Sequence, residues 1–597
     1  MDISMRDGVR LHTVILVPHE ARNTPILLTR TPYGAEYIAS QMDDRDEAGP
    51  FDGWGKRLVG GPYIRVLQDV RGQNRSGGKF IVTGPLAHKA PDPLSTDEST
   101  DAYDTIDWLV HHVAETDGRV GLIGTSYDGF TALMGLIDAH PAVKVAVAID
   151  PMVDGWRGDD WFHNGAFRQL MIPAIGADGK RDDISLPSTI REQTRAFLRE
   201  GAAGAFGHDH DLDDVAFWHE ITVHPTYDSY WQARALDHVL AAHPPHVPLM
   251  LVHGLWDQED IYGAPAIWKA LRSRGGRADN MFLTNGPWRH AQSLEDGTGI
   301  GALMWGQDTA AWWRHDVLKP FLAHYLTGAP MDVAPVTVFQ SGSRQWWRLP
   351  DWPPPTTTRQ LFLLPQHRLA FVSGLTRTKT LEYCSDPAHP VPYMPDAGGV
   401  VSEETWLTAD QRFVVGRKDV LTFTSDVLSR PLTVEGSPVA HLGAATSGTD
   451  ADWVVKLIDA YPAVPKEEPG LSGAFLPVAM DIFRGRYRKS LEHPAPLRPD
   501  VLQPYRIVLP EVSHTFQPGH RIVVQIQSSW FPVYDRNPQR FVRNIFFARP
   551  TDYRIAHQRI AVGGPLQSYV DLPVMDDDAL SVPHRLSPAP EAPPSHP

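Results

Sequence analysis

A single cysteine, Cys384, stands in 597 residues, which excludes an intrachain disulfide and a thiolate zinc cluster. No run approaches the ~20 consecutive apolar residues of a membrane-spanning helix, so no membrane association is expected. Basic residues are outnumbered: 55 Lys and Arg face 71 Asp and Glu, a net charge of -16. Binding a polyanion requires clustered Lys and Arg, so nucleic acid is not an expected partner. The N-terminal stretch MDISMRDGVRLHTVILVP has neither a basic n-region nor a long apolar h-region, and no signal peptide is expected from it. What is present is a composition of folded protein, 42% hydrophobic and 21% charged. The length predicts two to four domains.

Strand and helix signals alternate through the first third. TPILLTRTPYG (24–34), YIRVLQDVRG (63–72), GRVGLIG (118–124) and VKVAVAID (143–150) read as short buried strands. STDAYDTIDWLVHH (99–112) and FTALMGLIDAH (130–140) read as helices. This rhythm predicts a parallel sheet with helices on both faces. It fails from 151 to 235, where aromatics, charges and helical stretches predict a cap inserted over the sheet. It resumes with VPLMLVHGLWD (247–257), a helix around Ala264–Arg274, NMFLTNGPWRH (280–290) and a last helix near Ala310–Leu326. The expected α/β domain is thus 1–150 with 236–330. From 331 to 575 the pattern is β, as in DWVVKLIDAY (452–461) and RIVVQIQSS (521–529), and a jelly roll is expected. The Pro-rich, acidic tail 576–597 is expected to be disordered.

The strongest chemical signal is GLIGTSYDGF, residues 121–130. A strand, the turn Gly124-Thr125-Ser126 and a helix form the pattern of a nucleophile elbow, which exposes a serine hydroxyl at a sharp bend. The following amide, that of Tyr127, opens a helix and can donate to an oxyanion. The pattern departs from G-x-S-x-G: position 128 is Asp, and the second glycine comes one residue later. Such a serine needs a base, and chain order runs Ser, acid, His. Asp257 ends one predicted strand and His290 follows the next, both where carboxyl-end loops place ligand-binding groups. Elsewhere among 27 histidines the plain reading is a surface or core side chain. Asp159-Asp160, Glu259-Asp260 and the HDHD run (208–211) are acidic enough for a metal, but convergent hard-cation ligands are not evident. No metal or cofactor is expected.

GTSYDGF, PMVDGWRGDDWFHNGAFRQ (151–169), GLWDQED (254–260) and GPWRH (286–290) together resemble the α-amino acid ester hydrolases. These β-lactam antibiotic acylases are grouped with cocaine esterases and X-prolyl dipeptidyl peptidases. ATSGTDADWVVKLIDAYP, MDIFRGRYR, HTFQPGHRI and YDRNPQRFV extend the resemblance to about residue 560. It implies an α/β-hydrolase domain with a helical cap and a jelly roll, and a homo-oligomer, a tetramer in the family. It also implies a triad of Ser126, Asp257 and His290, with the Tyr127 amide and Tyr33 hydroxyl as oxyanion donors. A carboxylate cluster of Asp160, Glu259 and Asp260 would receive the substrate's α-ammonium. Three like charges in one pocket repel, so at least one pKa there should be raised.

The activity so implied is acyl transfer from α-amino esters and α-amino β-lactams of the ampicillin and cephalexin type. An α-aminoacyl-enzyme passes the acyl group to water or to a β-lactam nucleus. Relatives are typically exported to the periplasm or beyond, which the N-terminus here does not repeat. The alternatives are a generic carboxylesterase or glutaryl-type acylase without an amine requirement, an inert carbohydrate-binding or structural protein, and an X-Pro aminopeptidase.

Overall fold

The computed structural model describes residues 1–42, 62–87, 94–181, 183–273, 280–396, 398–463 and 469–575; the expected tail lies outside them. Ten strands form the first sheet: β1 Asp2–Ser4, β2 Arg10–Leu16, β3 Thr24–Thr31, β4 Ile64–Asp69, β5 Thr116–Thr125, β6 Val143–Ile149, β7 Leu249–Gly254, β8 Met281–Gly286, β9 Val336–Gln340 and β10 Gln345–Leu349. Their spatial order is β1-β2-β4-β3-β5-β6-β7-β8-β9-β10. Pairing is parallel from β4 through β3 to β9, and antiparallel at both edges.

The central strands are aliphatic runs with little polar alternation because both faces are covered. All residues of β3, β7 and β8 are buried. On one face lies the helix Glu98–His112, started by a capping box in which Asp97 accepts from the Ser99 and Thr100 amides. The elbow helix Tyr127–Met134 packs on β3, β5 and β6. Strands β5 to β8 are consecutive neighbours about 4.8 Å apart, so the loops leaving their carboxyl ends stand side by side. Ser126, Asp150, Asp257 and His290 lie on these four loops in that order.

Between β6 and β7 the chain makes a short hairpin, Phe162–His163 with Ala166–Phe167, and the helices Ile172–Asp178, Ile190–Glu200, Ala203–Asp209, Ala216–Val223, Ser229–Gln232 and Leu236–Ala242. This segment is also bonded to the β-rich half. The Phe167 and Phe546 rings meet at a tilt of 57° with centroids 4.9 Å apart, Gln169 donates to the Pro532 carbonyl at 2.9 Å, and the Tyr487 hydroxyl donates to the Pro225 carbonyl at 2.7 Å.

The β-rich half is a thirteen-stranded, almost wholly antiparallel sheet running from Thr356–Leu364 to Tyr569–Met575. Near one end of its pairing order Asp452–Ala460, buried along its whole length, pairs with the terminal strand Phe475–Arg484 and with Arg521–Gln527. The first sheet continues past the boundary expected at 330/331, since β9 and β10 extend it to Leu349. The reason is pairing rather than pattern. Strand β9 looks like any half-buried strand, but its register with β8 (Leu283 opposite Val336) assigns it to the first sheet.

Arg484 joins the layers. Fully buried, it forks onto Asp452 (2.9 and 3.1 Å) and Asp535 (2.8 and 3.1 Å), and Asp535 accepts the Phe167 amide at 2.9 Å. Arg484→Leu leaves two buried carboxylates without their cation, a loss of about 3–5 kcal/mol. For a domain of this size the thermal midpoint should fall by about 10 °C. An unchanged midpoint in a melting experiment would show that the bridge contributes nothing net.

Candidate active site

Ser126 sits between the last residue of β5 and the first of the elbow helix, with φ 60° and ψ -123°. A non-glycine residue at positive φ is strained, and such strain persists only where the surroundings enforce it. Here the Ser126 amide donates to the Ile149 carbonyl at 2.9 Å. The bend also folds the helix back on the strand so closely that a Cβ at Gly124 would lie 2.1 Å from the Asp128 carbonyl oxygen. Glycine is therefore required at 124. Asp128, the departure from the usual elbow pattern, is buried; burial raises its pKa well above the carboxylate range, with a Thr31 hydrogen bond opposing.

Asp257 and His290 meet across adjacent loops: His290 Nδ1 lies 2.9 Å from Asp257 Oδ2, and both residues are buried. Asp257 Oδ1 accepts the amides of Glu259 (2.7 Å) and Asp260 (3.0 Å), which fixes the carboxylate's plane. Burial alone would raise the Asp257 pKa, but the charge and hydrogen bond of His290 bring it below the ordinary value. For His290 burial favours the neutral ring, but the charges of Asp257 and Glu259 outweigh it and raise its pKa well above the usual range. With Nδ1–H facing a carboxylate, Nε2 is the basic nitrogen. The Tyr33 hydroxyl lies 3.5 Å from Ser126 Oγ.

The three predicted acids also converge. The Asp160 amide donates to the Glu259 carbonyl at 2.7 Å, and Asp159 and Asp260 form an isolated antiparallel bridge. Asp159, an acid the sequence left between a metal and a loop role, is a strut. Its carboxylate accepts four amides, those of Val153, Asp154, Tyr262 and Gly263, at 2.8–3.0 Å. Burial, then the charge of Glu259, raises Asp160 to about 7; burial, then Asp160, raises Asp260 well above the carboxylate range. The expected repulsion is thus present. Arg168 is the neighbouring cation, with Nη2 3.7 Å from Glu259. The acids at 208–211 are elsewhere: His208 pairs with Asp213 at 2.6 Å on the surface.

Sequence reasoning missed Asp150. Fully buried at the end of β6, it accepts the Gly254 amide at 2.9 Å and the Ala291 amide at 3.1 Å, tying the Asp257 loop to the His290 loop. Its carboxylate, that of Asp257 and the His290 ring present ligand-type atoms within 4.8 Å of one another. Burial, then Asp257, raises Asp150 to about 7. Its position at a strand's carboxyl end, one loop from the elbow, was the available signal.

Two family models match this chain. One described as X-Pro dipeptidyl-peptidase (S15 family) matches residues 7–292, and one described as X-Pro dipeptidyl-peptidase C-terminal non-catalytic domain matches 327–571. The cocaine esterase of Rhodococcus sp. (strain MB1 Bresler) is 28% identical over 572 residues, 90% of this chain and 91% of its own. Two solved structures each cover 96% of both chains. One is an aminopeptidase from the marine sediment archaeon Thaumarchaeota archaeon, 43% identical with a TM-score of 0.89; the other is an α-amino acid ester hydrolase, 44% identical with a TM-score of 0.87. With matches of this length in both halves, the chain belongs to the X-Pro dipeptidyl-peptidase (S15) family of serine hydrolases.

Proposed function

We propose that this hydrolase acts on esters and amides of α-amino acids, reading the free α-ammonium through Asp160, Glu259 and Asp260. The observation that carries this reading is the convergence of three acids beside the Asp257–His290 pair, more negative charge than ester hydrolysis needs. Likeness to an α-amino acid ester hydrolase and to an aminopeptidase supports it, since both names imply an α-amino acyl group.

In this reading Ser126 Oγ attacks the acyl carbonyl and its proton passes to His290 Nε2, while Asp257 orients the ring and stabilises the imidazolium. The oxyanion accepts from the Tyr33 hydroxyl and the Tyr127 amide. The leaving alcohol or amine departs with the proton from His290. Water then attacks the α-aminoacyl-Ser126, giving its proton to His290, which passes it to the departing Ser126 Oγ as the free acid leaves. A β-lactam nucleus amine in place of water would give synthesis. Tetrameric assembly belongs to the same proposal. A second reading, peptide cleavage from the N-terminus, is favoured by the archaeal aminopeptidase and uses the same ammonium site.

Neutralising one acid tests the reading. Breaking a charge-assisted contact in a desolvated site costs about 2–5 kcal/mol. Asp160→Asn should therefore lower kcat/KM for phenylglycine methyl ester at least about 30-fold, and lower it less for phenylacetate methyl ester, which has no amine. N-acetylation of the first ester should likewise abolish its advantage in the unaltered enzyme. Equal losses on both esters would reduce the assignment to a generic esterase, and aminoacyl amides in the same assay separate peptidase from esterase.

A further inference from the structure

The predicted acids come from the first half of the chain, but a fourth carboxyl enters the site from the β-rich half. Glu403 opens the short helix Glu403–Leu407, whose start is held by a capping box between Ser402 and Thr405. Its neighbour Glu404 accepts from Arg289 at 3.2 and 3.3 Å, and Arg289 also donates to the His290 carbonyl at 3.0 Å. The helix is thus docked on the loop that carries the catalytic histidine, and Glu403 is turned inward. Glu403 Oε1 is buried without a hydrogen-bond partner. Its carboxyl feels the charges of Glu259, His290, Asp257 and Arg168, and Arg168 and Arg289 feel its charge in turn. Burial, then Glu259, raises it to about 8.

Asp260 is placed differently. It is fully buried, its carboxylate lies 3.9 Å from His290 Nδ1, and both of its oxygens are buried without a hydrogen-bond partner. An ammonium has three N–H donors. Asp160 and Asp260, with buried oxygens that have no partner, and Glu259, with 26% of its side chain exposed, supply acceptors from the first half of the chain.

We propose that Glu403 is a specificity-determining wall of the amine subsite, so that carboxyls from both halves of the chain read the substrate's α-ammonium. This rests on the α-amino acyl reading above. The β-rich half, in consequence, selects substrate rather than merely bracing the hydrolase.

The test uses the full chain and one ratio: kcat/KM for phenylglycine methyl ester over that for phenylacetate methyl ester. Glu403→Gln, nearly isosteric, should lower the ratio at least about tenfold, the scale of one charge-assisted contact. Glu403→Asp, which keeps the charge but shortens the reach, should fall between. Glu404→Gln, which loosens the helix that presents Glu403, should lower the ratio in the same direction, by less than Glu403→Gln. Circular dichroism establishes that each variant is folded, and Glu403→Asp carries the test if Glu403→Gln is not. A ratio unmoved in both Glu403 variants while Asp160→Asn lowers it would remove Glu403 from the subsite and leave the α-amino reading standing. A ratio unmoved in Asp160→Asn as well would overturn that reading itself.

Discussion

Ser126→Ala should reduce kcat on any ester substrate by a factor on the order of 10⁶, the loss typical when the nucleophile of a triad is removed. The structure argues that this loss is chemical and not conformational. Position 126 is held at φ 60° by its amide's bond to Ile149 and by the close approach of helix and strand at Gly124, neither of which involves the hydroxyl. Alanine suffers the same positive-φ strain as serine, so the thermal midpoint should not change. The measurement is steady-state hydrolysis together with active-site labelling by a fluorophosphonate. Turnover above background, or labelling that persists in the variant, would place the nucleophile at another serine.

Tyr33→Phe should lower kcat by about 10²–10³-fold with little change in KM, the size of effect found when one oxyanion donor is deleted. The ring is retained, so only the hydroxyl 3.5 Å from Ser126 Oγ is lost. That hydroxyl is a reliable donor. Burial of the phenol end, then the charge of Asp128, raises its pKa well above 10, so it stays protonated wherever the enzyme works. A donor that acts on the transition state affects kcat; one that binds the ground-state carbonyl equally would appear in KM. An unchanged kcat would assign the oxyanion to the Tyr127 amide and another partner.

The elbow was legible because its constraints are local. Gly124, Ser126 and the strand–turn–helix change occupy ten consecutive residues, and the steric need for glycine at 124 follows from that bend. Asp257 and His290 were legible because parallel strands deliver their carboxyl ends to one edge, so strand position and chain order stood in for distance. The carboxylates Asp160, Glu259 and Asp260 were named through resemblance; spacing alone read them as solvated loops. Asp159 shows why spacing is insufficient. It is adjacent to Asp160 and chemically identical, yet accepts four amides as a strut, and only the backbone around it decides that.

What the sequence determined by itself, then, was the set of local devices: buried strands, helix starts, the turn at Ser126, the strand ends that carry Asp257 and His290, and the change to β pattern in the second half. Tertiary structure alone decided three things. It extended the first sheet to Leu349, because strand membership is a matter of which edge a strand pairs with. It placed Asp150 between the Asp257 and His290 loops, where a carboxylate accepting the Gly254 and Ala291 amides sets the spacing of the pair. And it docked the helix that carries Glu403 on the His290 loop, across more than a hundred residues of intervening chain, through the bonds of Glu404 with Arg289. Hydrophobic period and turn chemistry act over a few residues and are written in the sequence. Electrostatic and hydrogen-bond partners are chosen by distance in space, and only the packing of one half against the other supplies that.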